Sequence, residues 1–273
     1  MIKLSAVEKT ALLTACKRRE IDPTTYSRLS QLFPDLIVEV DDHIEHDDIY
    51  SLELQIRQIL IEEAVLKVGG DVIVELGCGL SSLGRDVGNT LDADVLEVDL
   101  PGIMEIRERA FSHTHSDKIK LLSGDVLNGQ LWKSVREAVP KGARVCVVCE
   151  GLLRYFPMNE KRFIAEKVFD LTLADGFWIS CDVTLTEMLK VESSNPDIRD
   201  RELASTVLAG ASNNSFASKA DCISFFAGLG FSVDLLSAVD ALPSLLKHLP
   251  RCSYEDILEA SRFVNILTMT NSQ

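Results

Sequence analysis

Residues 71–80, DVIVELGCGL, are a run of β-branched apolar residues that ends in a glycine turn. Val72, Ile73 and Val74 suit the centre of a parallel sheet covered on both faces, and Gly77 and Gly79 let the backbone bend tightly and approach a ligand closely. A strand that feeds such a turn leaves room for a nucleotide-like ligand. The same glycine spacing also serves plain packing turns, so the segments downstream of it in the chain decide its meaning.

Three more apolar runs end in the same way. VLEVDLP (95–101) carries Asp99 and Leu100 at its end, KIKLLSGDVLN (118–128) ends in Gly124 and Asp125, and ARVCVVCEGLLRYFP (143–157) carries Glu150 and Gly151. In an open α/β sheet ligands collect at the carboxyl ends of the strands, so acids and glycines repeated there place a binding site at that edge. Asp99 stands where such sheets hold a ribose through both carboxylate oxygens; Glu97, two residues back on the same strand face, is the alternative. The glycines at 77, 79 and 84 depart from G-x-G-x-x-G, which needs one at Ser82 to open the helix to a pyrophosphate. E-x-G-x-G followed by E-x-D suits S-adenosyl-L-methionine instead, which has a ribose and an amino-acid tail but no phosphate. Glu75 and Glu150 would attract its ammonium and sulfonium and repel a pyrophosphate.

Four segments, VIVELGCGL, LEVDLPGIMEIRERAF, SGDVLN and CEGLLRYFPMNE, with FAGLGFSVDLL as a fifth, carry a family likeness. The chain resembles, over about residues 50 to 235, the leucine carboxyl methyltransferase-like branch of the class I adenosylmethionine-dependent methyltransferases. That resemblance implies a doubly wound, mostly parallel, seven-stranded Rossmann-like sheet. It implies an N-terminal helical lid over 1–50 and a methyltransferase domain over 51–273 with a cap insertion near 183–216. The implied activity is O-methylation of a carboxylate on a small molecule or peptide; the alternatives are methylation of a natural-product-like hydroxyl, or a methyltransferase fold that binds without catalysis. For single residues, Gly77 would line the methionine part of the cofactor, Asp99 would bind the ribose, Asp125 would reach the adenine amino group and Val126 cover its face. Glu150 would contact the methionine end, and Arg57, on the helix before the first strand, would pair with the cofactor carboxylate. Glu75, Gly79, Leu100 and Gly151 complete the expected cofactor-binding set, and Cys78 in the turn either touches the ligand or packs. Lys9 or Thr10 of the first helix would approach the site. The turn continues as Ser81, Ser82 and Leu83 where many relatives carry an Asp-Thr-Arg triplet.

Several of these residues also have plainer readings. Arg57 can make a surface pair with Glu53, since the helix 51–67 points Leu52, Ile56, Ile59, Leu60 and Leu66 inward and leaves Arg57 off that stripe. Tyr155 can orient an acceptor by hydrogen bonding or fill the core. A carboxylate acceptor is ionised near neutral pH and needs no general base, whereas a hydroxyl needs one, for which His113, His115 and His248 are available. His43 and His46 lie in the acidic run DDHIEHDD, read as a solvated segment with no metal. Cys146 and Cys149 spell C-x-x-C within one strand, where odd spacing points them to opposite faces, against a redox or zinc role.

Composition sets the outer bounds. The 273 residues suffice for one α/β domain with a cap, and no apolar run approaches the roughly 18 residues of a membrane span. With no leader pattern and seven cysteines that read as reduced core residues, a cytoplasmic protein is expected. A formal charge of −14 argues against nucleic acid, so the partner expected is a small-molecule or peptide acceptor. A nicotinamide-dependent oxidoreductase would also use Asp99, but the missing third glycine counts against it. From 72 to 182 strands and helices alternate, and FSVDLL near 231 and RFVNILTM near 262 read as the last two strands; the family resemblance implies that the final one is antiparallel.

Overall fold

β1 (Val72–Leu76) is buried at every position and lies in the interior of a seven-stranded sheet. The computed structural model describes residues 4–41, 49–112, 116–173, 175–186 and 214–272. β2 (Asp94–Asp99) and β3 (Ile119–Ser123) extend the sheet on one side of β1, and β4 (Val145–Cys149) and β5 (Phe177–Ser180) on the other, all parallel. β7 (Asn265–Asn271) inserts antiparallel between β5 and β6 (Phe231–Ser237), giving the order β3-β2-β1-β4-β5-β7-β6. The chain therefore reverses its winding between β1 and β4, and the crevice that such a reversal opens faces the carboxyl ends of both strands.

The two faces of the sheet carry separate apolar layers. Val74, Leu76, Val147 and Cys149 face one layer, Ile73, Cys146 and Val148 the other, so the two cysteines of the C-x-x-C do point opposite ways. All seven cysteines are free thiols, and burial pushes that of Cys146 up to about 12. Trp178 is fully buried in the first layer, edge-on to Phe226 at 5.3 Å, and its indole nitrogen reaches Cys149 Sγ at 3.3 Å.

Helices α1 (Ala6–Lys17), α2 (Pro23–Leu32) and α3 (Pro34–Asp41) precede the sheet and share an apolar cluster of their own with Leu80, Ile103 and Phe111. Ser5 and Glu8 close a capping box on α1, and Asp22 caps α2 through Thr25 N at 3.1 Å, with Pro23 in its first turn. α4 (Ile49–Val68) departs from the amphipathic reading: Ser51 to Gln58 are buried without a break, and Ile59 and Leu66 only partly. Its outer face is covered by α1 and by the helix Tyr254–Ser261, so Arg57 is an interior residue and not a surface partner of Glu53 alone. The last strand starts at Asn265, because Arg262 caps the preceding helix and Phe263 and Val264 turn back on Ala260 and Ser261. Of the expected cap, residues 187–213 lie outside the described residues; its two ends meet at a bridge between Leu185 and Phe216. Lys161, fully buried on the helix Met158–Thr172, donates to the Asn214 carbonyl beside that bridge, and burial draws its ammonium down to about 8. Among the described residues no helix is long and apolar enough to cross a membrane.

Candidate functional site

The glycine turn bends because Gly77 and Gly79 both adopt left-handed backbone, φ 67° and 52°. Gly77 N and Cys78 N then donate to Val98 O at 2.8 and 3.1 Å, tying the turn to β2. Asp99, at the tip of β2, accepts Gly79 N on Oδ2 and Leu100 N on Oδ1, each at 2.7 Å. Each carboxylate oxygen keeps a further lone pair for a ligand hydroxyl. Burial raises the Asp99 carboxyl above its ordinary value against the pull of those two backbone donors. Leu100 opens α6 (Pro101–Ala110), whose Gly102 N donates to Glu8 at 2.9 Å and so draws α1 across the mouth of the crevice.

Between the turn and these helices lies a cavity of about 380 Å³. Arg57, Glu75, Gly77, Cys78, Gly79, Asp99, Leu100, Asp125, Val126, Glu150, Gly151 and Tyr155, the residues expected from the sequence to bind cofactor or acceptor, all line it. Thr10 lines it too, whereas Lys9 does not. Thr10 Oγ1 donates to Val7 O at 2.6 Å, so at 2.9 Å it accepts the Tyr155 hydroxyl, joining α1 to the turn Leu153–Tyr155 after β4. Asp125 folds its own loop by accepting Leu127 N at 2.9 Å, and Val126 is buried beside it.

Charge is concentrated at the Glu75 and Glu150 end. Glu150 is gripped by Arg18, from the end of α1, and by Arg57 Nη2 at 3.3 Å. Burial alone would raise the Glu150 carboxyl, but Arg18 and Arg57 outweigh it and hold it below its ordinary value. Arg57 also approaches Glu53 at 3.8 Å, so the i,i+4 pair is present but buried. Arg18 Nε and Arg57 Nε are buried without a hydrogen bond among the described residues. Glu75, 4% exposed, has the opposite balance: burial pushes its carboxyl up to about 8, with Arg107 at 3.8 Å pulling the other way. Its Oε2 makes no hydrogen bond among the described residues.

Glu97 does not face the cavity, which corrects the alternative ribose assignment. It is fully buried beneath the turn, where Arg85 Nε and Nη2 reach it at 2.7 Å and Arg107 Nε and Nη2 at 2.8 and 2.5 Å. Burial opposes its ionisation, yet the two arginines hold the Glu97 carboxyl down at about 2. Arg107 Nη1 also donates to Gly79 O and Ser81 O at 3.0 and 2.7 Å, so this ion cluster fixes the glycine turn from below. A charged residue inside the apolar run VLEVD was the sequence signal for such a partner, as buried charges require one. Arg18 and Tyr50 also line the cavity with no sequence pattern to mark them, as do Arg154 and Glu160, which lie inside the segment CEGLLRYFPMNE but were given no role. His248 lies elsewhere, 3.2 Å from Glu63, while His43, His46, His113 and His115 fall outside the described residues. Among the described residues no group of His, Cys, Asp or Glu side chains is placed to hold a metal ion.

No protein-family model and no curated protein sequence matches the chain. Solved structures do. An O-methyltransferase family protein from Burkholderia thailandensis aligns at 12% identity and TM-score 0.55, over 95% of this chain and 72% of that one. Human N-acetylserotonin methyltransferase, solved with adenosylmethionine, aligns at 11% identity and TM-score 0.50, over 89% of this chain and 60% of the human one. The mitomycin 7-O-methyltransferase MmcR aligns at 15% identity and TM-score 0.50, over 83% of this chain and 59% of that chain. The chain spans 57% to 60% of the length of the first structures it matches. The fold is that of the class I adenosylmethionine-dependent methyltransferases. The neighbours carry other names than leucine carboxyl methyltransferase, so the likeness stands at the level of the class and not of that branch.

Proposed function

We propose that the protein is an adenosylmethionine-dependent O-methyltransferase acting on a small molecule. The observation that carries this reading is that Asp99, the glycine turn, Asp125 and Val126, and the Glu75, Glu150 and Arg57 group all line one cavity. Adenosylmethionine needs that set of partners: an adenine face and amino acceptor, a two-oxygen acceptor for the ribose, a close-packed backbone, and both signs of charge at the amino-acid end. Asp125 and Val126 would take the adenine, Asp99 the ribose, and Arg57 with Arg18 the carboxylate, while the Glu75 carboxylate would face the cationic end. When bound, the cofactor supplies a methyl group on a sulfonium, and the chain's own task is to hold the acceptor oxygen in line with it and to exclude water. Tyr155, at the α1 contact, is proposed to orient that acceptor.

The acceptor is proposed to be a hydroxyl. The neighbours include enzymes named for hydroxyl methylation, such as the mitomycin 7-O-methyltransferase, and this favours the hydroxyl over the carboxylate implied by the resemblance. One observation favours the carboxylate: Arg154 lines the same cavity next to Tyr155 and would complement an anionic acceptor. A screen of hydroxyl and carboxylate acceptors with labelled methyl donor, followed by kcat against pH with the acceptor found, decides between them. A hydroxyl acceptor needs a base and gives an ascending limb; a carboxylate, ionised throughout, gives a flat profile between about pH 6.5 and 8.5. No methyl transfer to any acceptor by protein that binds adenosylhomocysteine would turn the reading into a binding protein.

A further inference from the structure

Residues 184–186 and 215–216 form a short neck beyond the end of β5. Phe216 N donates to Thr184 O and Thr186 N to Phe216 O, each at 2.9 Å, and the Thr186 and Ser215 hydroxyls meet at 3.0 Å. Lys161 packs against this neck from the helix Met158–Thr172. It is fully buried, with its ammonium donating to Asn214 O and standing 5.2 Å over the Phe216 ring, and both of these partners are neutral. The charged and titratable groups that face it are Asp182 at the base of the neck, Arg154 in the turn after β4 and Cys222 on the helix Lys219–Ala227. The Asp182 carboxylate is engaged elsewhere: Oδ2 accepts Leu152 N at 3.1 Å and lies 3.3 Å from Ser180 Oγ.

A buried ammonium that has a carbonyl and a ring face in place of water is held at a cost that a neutral amine avoids. Burial accordingly draws Lys161 down to about 8 from its ordinary 10.5, with Asp182 pulling the other way. Cys222, pushed up to about 12, stays a thiol through that interval. When the neck opens, Lys161 meets water and regains its ordinary affinity for a proton. Opening therefore takes up a proton between about pH 8 and 10.5, where the closed form has lost one, so acid favours the open neck and alkali the closed one. The neck also bears on the cavity that Asp99 lines, because Leu152, which Asp182 holds, lines it together with Arg154 and Tyr155 of the next turn.

We propose that Lys161 is a proton-sensitive clamp on this neck, loosened when its amine is protonated and tightened when it is neutral. The test is amide hydrogen exchange of the whole chain, read by mass spectrometry on peptides covering 184–186 and 214–218 and expressed as protection factors at about pH 7 and about pH 9.5. In the wild type, protection of the neck should rise at least about tenfold from the lower pH to the higher, and should stay below that of a β1 peptide at both. Lys161→Met has no charge to expose and should lose the rise. Lys161→Arg stays charged throughout and should also lose it, with protection no higher than the wild type shows at about pH 7. A wild-type neck whose protection does not rise would overturn the proposal, as would a rise that either variant keeps. Protection equal to that of β1 at both pH values would overturn it too, because the neck would then open only with the whole fold. Lys161→Arg and the wild-type profile carry the test if Lys161→Met does not fold. None of these outcomes depends on whether the cavity binds adenosylmethionine.

Discussion

Glu75 couples protonation to ligand charge at a single carboxyl group. Its folded value of about 8 stands above the ordinary 4.5, so the folded chain binds a proton that the unfolded chain releases between those values. The stability this contributes is complete below about pH 4.5 and is lost as pH rises through about 8. Glu75→Gln keeps the shape without the charge and should flatten the fall of Tm between about pH 5 and 9, as a thermal melt series would show. A sulfonium beside Glu75 favours the ionised form, so adenosylmethionine should bind the wild type more tightly at about pH 9 than at about pH 6. Calorimetry that finds the same pH slope in Glu75→Gln would remove Glu75 from the cation's surroundings. Gly77 tests the turn itself. A Cβ there would meet Leu152 at 3.0 Å on a backbone with φ 67°, so Gly77→Ala should cost about 1–2 kcal/mol in urea unfolding and weaken the cofactor. An unchanged midpoint would show that the turn tolerates a side chain.

At the scale of elements, the Arg85–Glu97–Arg107 cluster ties α5 (Leu83–Leu91), β2 and α6 together under the glycine turn. Arg107→Met removes the group that bonds Glu97, Gly79 O and Ser81 O at once but leaves Glu97 its pair with Arg85, so the cost expected is that of lost charged hydrogen bonds, about 1.5–3 kcal/mol. Urea unfolding should show a loss of that size; a loss below about 1 kcal/mol would mean that the cluster contributes no net stability. β1 to β5 were legible in the sequence because each is a short apolar run closed by a turn, and the acids at their ends marked the edge where the cavity opens. α4 was not, since a periodicity count sees one covered face and cannot know that other helices will cover the second. Glu97 misled for a related reason: strand spacing puts it on the face of Asp99, but only the fold shows Arg85 and Arg107 converging on it.

At the scale of the molecule, the parallel sheet follows from an alternation readable in the chain, and the acids and glycines at its strand ends line one cavity. Arg18 and Tyr50 were not readable in this way, because they depend on how α1 lies across the sheet, which is set by long-range contacts such as Glu8 with Gly102 and Thr10 with Tyr155. The central claim, that this crevice holds adenosylmethionine through Asp99, is tested most directly by calorimetric titration of adenosylhomocysteine into wild type and Asp99→Ala, with NAD as the comparison ligand. The wild type should bind one adenosylhomocysteine per chain, more tightly than NAD. The variant should bind at least about a hundredfold more weakly, from the loss of two charge-assisted hydrogen bonds of about 1.5–3 kcal/mol each. Equal affinity in the two proteins, or tighter binding of NAD, would contradict it.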